Sequence, residues 1–181
     1  MKRVVLTFGL LAGAVIAALV WITAWACDRD MISFDNLEFV GYASMLIALT
    51  MVFFGIKSYR DNYGNGKITF WKGMQIGLLI SLIAGVLYYA GAVSYNLANP
   101  NFQIRFMEKY TEHTVGKLKE QNAPQEKIDA AIAEVELFKR LFQNPVLFFL
   151  VCMVEILPVG IIVSLISAGL LRKRELLPAT P

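Results

Sequence analysis

Four apolar runs, at residues 4–26, 39–56, 73–98 and 146–171, limit what this chain can fold into more than any other feature. At about 1.5 Å of rise per residue, each run as a helix crosses most or all of a hydrocarbon core roughly 30 Å thick. A chain inside lipid must satisfy its backbone hydrogen bonds internally, so single runs of this length are read as helices. The expected fold class is therefore all-α, a polytopic membrane protein with four transmembrane helices. Hydrophobic residues make up 57% of the chain and charged residues 17%, more apolar and less charged than an ordinary soluble domain. With four spans in 181 residues, little chain remains for a separate soluble core, and one membrane domain over residues 1–181 is expected.

The net charge of +3 does not point to nucleic acid. The basic residues cluster beside the spans, where the excess of Lys and Arg on cytoplasmic loops accounts for them. Lys2 and Arg3 precede the first run, Lys57, Arg60, Lys67 and Lys72 crowd the second connection, and Arg172, Lys173 and Arg174 follow the last run. The first connection holds Arg29 alone against Asp28, Asp30, Asp35 and Glu38. These clusters predict that both termini and the second connection lie on the cytoplasmic side. Lys57, Arg60, Lys67 and Lys72 become candidate anchors to lipid headgroups. Trp21 and Trp25 are expected near the outer boundary of the bilayer, Tyr59 and Trp71 near the inner one. A cleavable signal peptide is the alternative for the N-terminus, with Ala24-Trp25-Ala26 as its cut site. The first run exceeds the roughly 7–15 residues of a signal core, so a retained span is preferred.

Residues 99–145 dissent from the charge rule. They would lie outside, yet they carry seven basic residues, spread along the segment and balanced by seven acidic ones. Within them, Phe102, Phe106, Tyr110 and Leu118 fall near one helical face. Asn122-Ala123-Pro124 interrupts, with Pro124 suited to the first turn of a new helix. Ile128, Ala131, Ile132, Val135, Phe138 and Phe142 then repeat at three- and four-residue spacing, a second amphipathic stripe. An extracytoplasmic helical hairpin over about 100–144 is expected, its apolar faces packed on each other or on the membrane surface. It is either an ordered connection or a docking surface for an extracytoplasmic partner. His113, the single histidine, reads as a solvated surface residue rather than a pH sensor.

Gly73, Gly77, Ser81 and Gly85 repeat every fourth residue along the third span. Such a strip lets two helix backbones approach, which is how helices associate in lipid without a hydrophobic gradient between them. Gly9 and Gly13 offer a shorter strip on the first span, and Gly160, Ser164 and Ala168 another on the fourth. Packing within the chain is the simpler reading, and a homo-oligomer contact or a membrane-protein partner the alternative.

Glu155 is the one carboxylate or basic side chain in the four runs. A charge at that depth costs around 2.5–3.5 kcal/mol on insertion scales, and such groups face a bundle interior or a wet cavity. The neutral acid is the cheaper form there unless a cation or water reaches it. Pro158 cannot donate to the carbonyl of Val154, which predicts a local irregularity with a free acceptor beside Glu155. The pair is either a structural hydrogen-bonding site or a proton- or cation-handling one.

Enzyme signatures are sparse. One histidine and two cysteines do not supply a zinc site, and no Ser-His-acid set can be proposed with His113 outside and the serines buried elsewhere. Gly64-Asn65-Gly66-Lys67 lacks the earlier glycine of a phosphate loop, since Asp61 stands there, and Ile68 rather than Ser or Thr follows the lysine. It reads as a turn. Cys27 and Cys152 are not expected to pair, because Cys152 lies within a span. No cofactor is expected.

FFGIKSYRD at 53–61, GKITF at 66–70, the glycine-rich third span, FMEKY at 106–110, and Glu155 followed by Pro158-Val159-Gly160 before a basic C-terminus occur in order. This set resembles a bacterial family of four-span inner-membrane proteins of unknown function. The resemblance implies the same architecture and brings no reaction, substrate or catalytic residue. On the residues themselves, a non-enzymatic scaffold or accessory subunit is the favoured reading. A small oligomeric transporter or proton/cation-coupled component centred on Glu155 is the first alternative, and a lipid-active membrane enzyme the second.

Overall fold

The computed structural model describes residues 1–172, so Lys173 and Arg174 of the C-terminal cluster lie outside the described residues. Six helices follow in order: α1 Lys2–Asp28, α2 Phe34–Tyr63, α3 Phe70–Ala98, α4 Phe102–Glu120, α5 Gln125–Gln143 and α6 Pro145–Leu171. Four of them, α1, α2, α3 and α6, are long and apolar enough to cross a membrane.

Local chemistry sets the ends of these helices, and each of the four long ones begins before its apolar run, α2 by five residues. Ser33 caps α2 by accepting from the Asp35 N–H at 3.4 Å, and Asp35 puts negative charge in the first turn, against the positive end of the helix dipole. Thr69 caps α3 through the Lys72 N–H. Asn144 accepts from the Val146 and Leu147 N–H groups at 3.0 and 3.2 Å while Pro145 opens α6, a position where its missing N–H costs nothing. At its C-terminal end α2 stops at Gly64, where an added Cβ would run into the carbonyl oxygen of Lys67.

Between α4 and α5, Asn122 adopts φ 52°. The Ala123 N–H reaches Leu118 O and the Asn122 N–H reaches Lys119 O, both at 3.0 Å, the paired bonds that close a helix through a left-handed residue. Pro124 stands just before α5 rather than in its first turn, and its carbonyl accepts from the Lys127 N–H at 2.9 Å.

α3 is the central long helix, touching α1, α2 and α6; α1 and α6 each also pack on α2. Two seams of small residues hold it. Against α6 the helices run antiparallel: Gly73 faces Ala168, Gly77 faces Ser164, and Ser81 faces Gly160, while Gly85 meets Met153 and Ile156. A Cβ on Gly77 would lie 2.7 Å from Ser164 Cβ, and one on Gly160 2.6 Å from Ser81 Cβ. Side chains there would push the backbones apart. Against α1 the helices run parallel, with Gly9 on Ile83, Gly13 on Leu87 and Ala17 on Gly91. Leu49, Val52, Ile56, Ile76, Ile80 and Ile156 fill the centre with no exposed surface.

Most of the apolar surface of the four long helices points outward. Between 22% and 39% of each helix's most apolar window is buried, so the remainder forms a belt that lipid, not water, would solvate. The chain is a multi-pass membrane protein. One end of the bundle carries the N-terminus, the end of α6 and the α2–α3 connection; the opposite end carries the α1–α2 connection and the α4–α5 hairpin.

Candidate functional site: a cavity under the hairpin

Toward the hairpin end, residues of all six helices line a half-open cavity of about 610 Å³. α1 and α3 run toward the hairpin while α2 and α6 run away from it. The deepest lining residues are therefore Ile16, Met45, Tyr88 and Glu155, one from each long helix. Phe106 and Tyr110 of α4 and Phe138 and Phe142 of α5 line it from the hairpin. Ten of its 25 lining residues are aromatic against 12% of the chain, so ring faces and edges make up much of the wall.

Glu155 lies on this wall. The Tyr88 hydroxyl donates to Glu155 Oε2 at 2.7 Å, joining α3 to α6. Glu155 keeps exposed surface as a residue and borders the open space, which suits a group whose burial in a dry interior is costly. α6 continues unbroken through Pro158, itself exposed. The irregularity expected there is no break in the helix, and the tertiary partner of Glu155 comes from α3. Glu38, in the second turn of α2, is a second carboxylate on the cavity wall.

The hairpin is tied to the bundle by charge and by rings. Along α4, Arg105, Lys109, His113 and Lys117 recur every fourth residue and face the acids of the first connection. Arg105 pairs with Asp28 at 2.7 Å and Lys109 with Asp30 at 2.6 Å, while Lys117 and His113 share Asp35, His113 at 3.3 Å. Exposed pairs are worth about 0–1 kcal/mol each, so the seam works as a series. Phe34 sits behind it, with centroids 5.5 Å from Phe106, 5.8 Å from Tyr110 and 5.5 Å from His113. Tyr95 adds an edge contact to Phe102 at 4.8 Å and to Trp21 at 5.2 Å. On the other side, Phe142 meets Phe148 of α6 at 5.1 Å.

The aromatic face of α4 thus packs on its own bundle and lines the cavity. His113 is half-buried between a ring and a carboxylate, not the solvated residue expected from the sequence.

The other residues singled out in the sequence lie elsewhere. Gly73, Gly77, Ser81 and Gly85 are buried against α6 and do not line the cavity. Lys57, Arg60, Lys67 and Lys72 gather at the opposite end, Lys57 and Lys67 exposed and Arg60 paired with Asp61 at 2.7 Å. Cys27 and Cys152 are buried free thiols. The described residues bring no three His, Cys, Asp or Glu side chains close enough to hold a metal ion. Reading each segment by itself missed the cavity and the charge seam. The seam had a signal: an acidic first connection and a basic stripe at four-residue spacing, both assigned to the same side.

Residues 7–173 match the family described as a protein of unknown function, DUF4199, and the chain belongs to that family. Comparison with curated proteins and with solved structures returns no match.

Proposed function

We propose that this member of a family with no assigned role is a non-enzymatic protein of the bacterial cytoplasmic membrane. In this reading both termini are cytoplasmic, and the protein acts as a scaffold or accessory subunit that binds an apolar or amphipathic small molecule beneath its outer hairpin. One observation carries the proposal: the cavity of about 610 Å³, walled by rings and a few polar groups. Small-molecule sites have volumes of about 300–1,000 Å³ and that composition. The ion-pair seam supports it, because a cap fixed on one side by Asp28, Asp30 and Asp35 preserves the space below it.

The test is titration of detergent-solubilised protein with N-phenyl-1-naphthylamine, a neutral dye that brightens in apolar sites. Ala92 lines the cavity, and Ala92→Trp should fill part of it. The parent is expected to give a saturable signal that the filled variant loses while its melting temperature is kept. Equal signals from both proteins would remove the cavity as the binding site.

A further inference from the structure

We propose that the cavity takes an amphipathic organic cation, a free molecule with one ammonium-like centre flanked by apolar groups, recognised by Glu155, Glu38 and the aromatic wall. This rests on the reading of the cavity as a binding site and names the class of molecule that it admits. Charge is the first argument. Glu38 and Glu155 line the space, and no Lys, Arg or His among the described residues does.

The neighbouring acids sharpen the contrast. Asp28, Asp30 and Asp35 each have a cationic partner on α4. Among the described residues, neither Glu38 nor Glu155 makes an ion pair, and Glu155 is met by the neutral Tyr88 hydroxyl. These two are the carboxylates left to serve something that enters.

The wall makes the second argument. The faces of phenyl and phenol rings carry negative potential and attract a cation by about 0.5–2 kcal/mol, more as water is excluded. Tyr88, Tyr95, Phe106 and Phe142 place such rings on α3, α4 and α5 around one space.

Other occupants fit less well. An anionic amphiphile would meet two carboxylates and no cation. A bare metal ion would find no group of three ligating side chains among the described residues and a largely apolar lining. The amine of a zwitterionic lipid would arrive with its own phosphate, which the same carboxylates repel.

A charge-inverted pair of equal shape tests the proposal: tetraphenylphosphonium and tetraphenylborate. Each is titrated calorimetrically into the full-length protein in a neutral detergent, with Ala92→Trp as the reference that subtracts partition into micelles. The phosphonium is expected to bind about tenfold or more tightly than the borate, a difference of about 1.4 kcal/mol. Glu155→Gln and Glu38→Gln should each lower that ratio severalfold, and the ratio within one variant is independent of how much of it folds. Dodecyltrimethylammonium should displace the phosphonium, and phosphatidylethanolamine should not. Equal binding of the two probes, or a preference for the borate, overturns the cation assignment while leaving the cavity reading in place. Binding of neither probe overturns both, and displacement by the lipid but not the free amine overturns the free-cation source.

Discussion

A tyrosine hydroxyl in an apolar wall needs an acceptor, and Tyr88 finds one in Glu155, 67 residues away in sequence. Gln at 155 still offers an acceptor oxygen, whereas Ala leaves the hydroxyl unpartnered. Glu155→Gln should therefore unfold in mixed micelles close to the parent, and Glu155→Ala should be destabilised by about 1–3 kcal/mol. Adding Tyr88→Phe to Glu155→Ala should recover part of that loss, because the orphaned group is then gone. Strict additivity would show that the 2.7 Å contact does not stabilise the fold. In liposomes, loss of a pH-driven flux in the Gln variant would move Glu155 from a structural to an ion-coupled role. Glu155 was legible in the sequence because an ionisable residue in an apolar run stands alone. Its partner was not. Tyr88 and Tyr89 are adjacent on α3, and the rotation of α3 against α6 decides which of them meets the carboxyl group.

Between helices, the seam of α3 and α6 is the feature most exposed to challenge. A leucine at Gly77 must displace Ser164 or Val52, an overpacking that costs about 1–3 kcal/mol. Gly169 makes a matched control on α6, because a Cβ there meets nothing within 4 Å. Gly77→Leu should lower the detergent melting temperature clearly, and Gly169→Leu should shift stability by no more than about 0.5 kcal/mol. Equal losses would take close approach out of the explanation. The strip itself was readable from four-residue spacing, since that period marks one side of a helix. Its partner needed three dimensions: α6 occupies this side, so a second copy using the same strip would first have to displace α6. The stripe on α4 teaches the reverse lesson. Its charges were counted against the topology rule, yet pairing with Asp28, Asp30 and Asp35 gives them a use on that side of the bundle.

For the molecule as a whole, orientation in the bilayer is the property to measure. Lys119 on α4 and Asn65 in the α2–α3 connection are both exposed, at opposite ends of the bundle. Single cysteines at these positions, in a background without Cys27 and Cys152, can be offered an impermeant maleimide in intact spheroplasts. Position 119 should label at once and position 65 only after lysis; the opposite pattern would invert the protein. Helix number and the two-sided layout were legible because the apolar runs and charge placement are properties of the chain alone, whereas α2, at 30 residues, extends past its apolar run at both ends. The cavity was not, because it arises from how four helices and a cap diverge, and no local pattern encodes that. The central place of α3 also has a consequence in time. During synthesis α1 and α2 emerge first, with Gly9, Gly13 and Gly55 set to receive Ile83, Leu87 and Ile80 of a helix not yet made. Until it arrives, the nascent pair is a half-built sleeve whose smoothest surface is bare, and whatever shelters that surface in the membrane competes with the rest of the same chain.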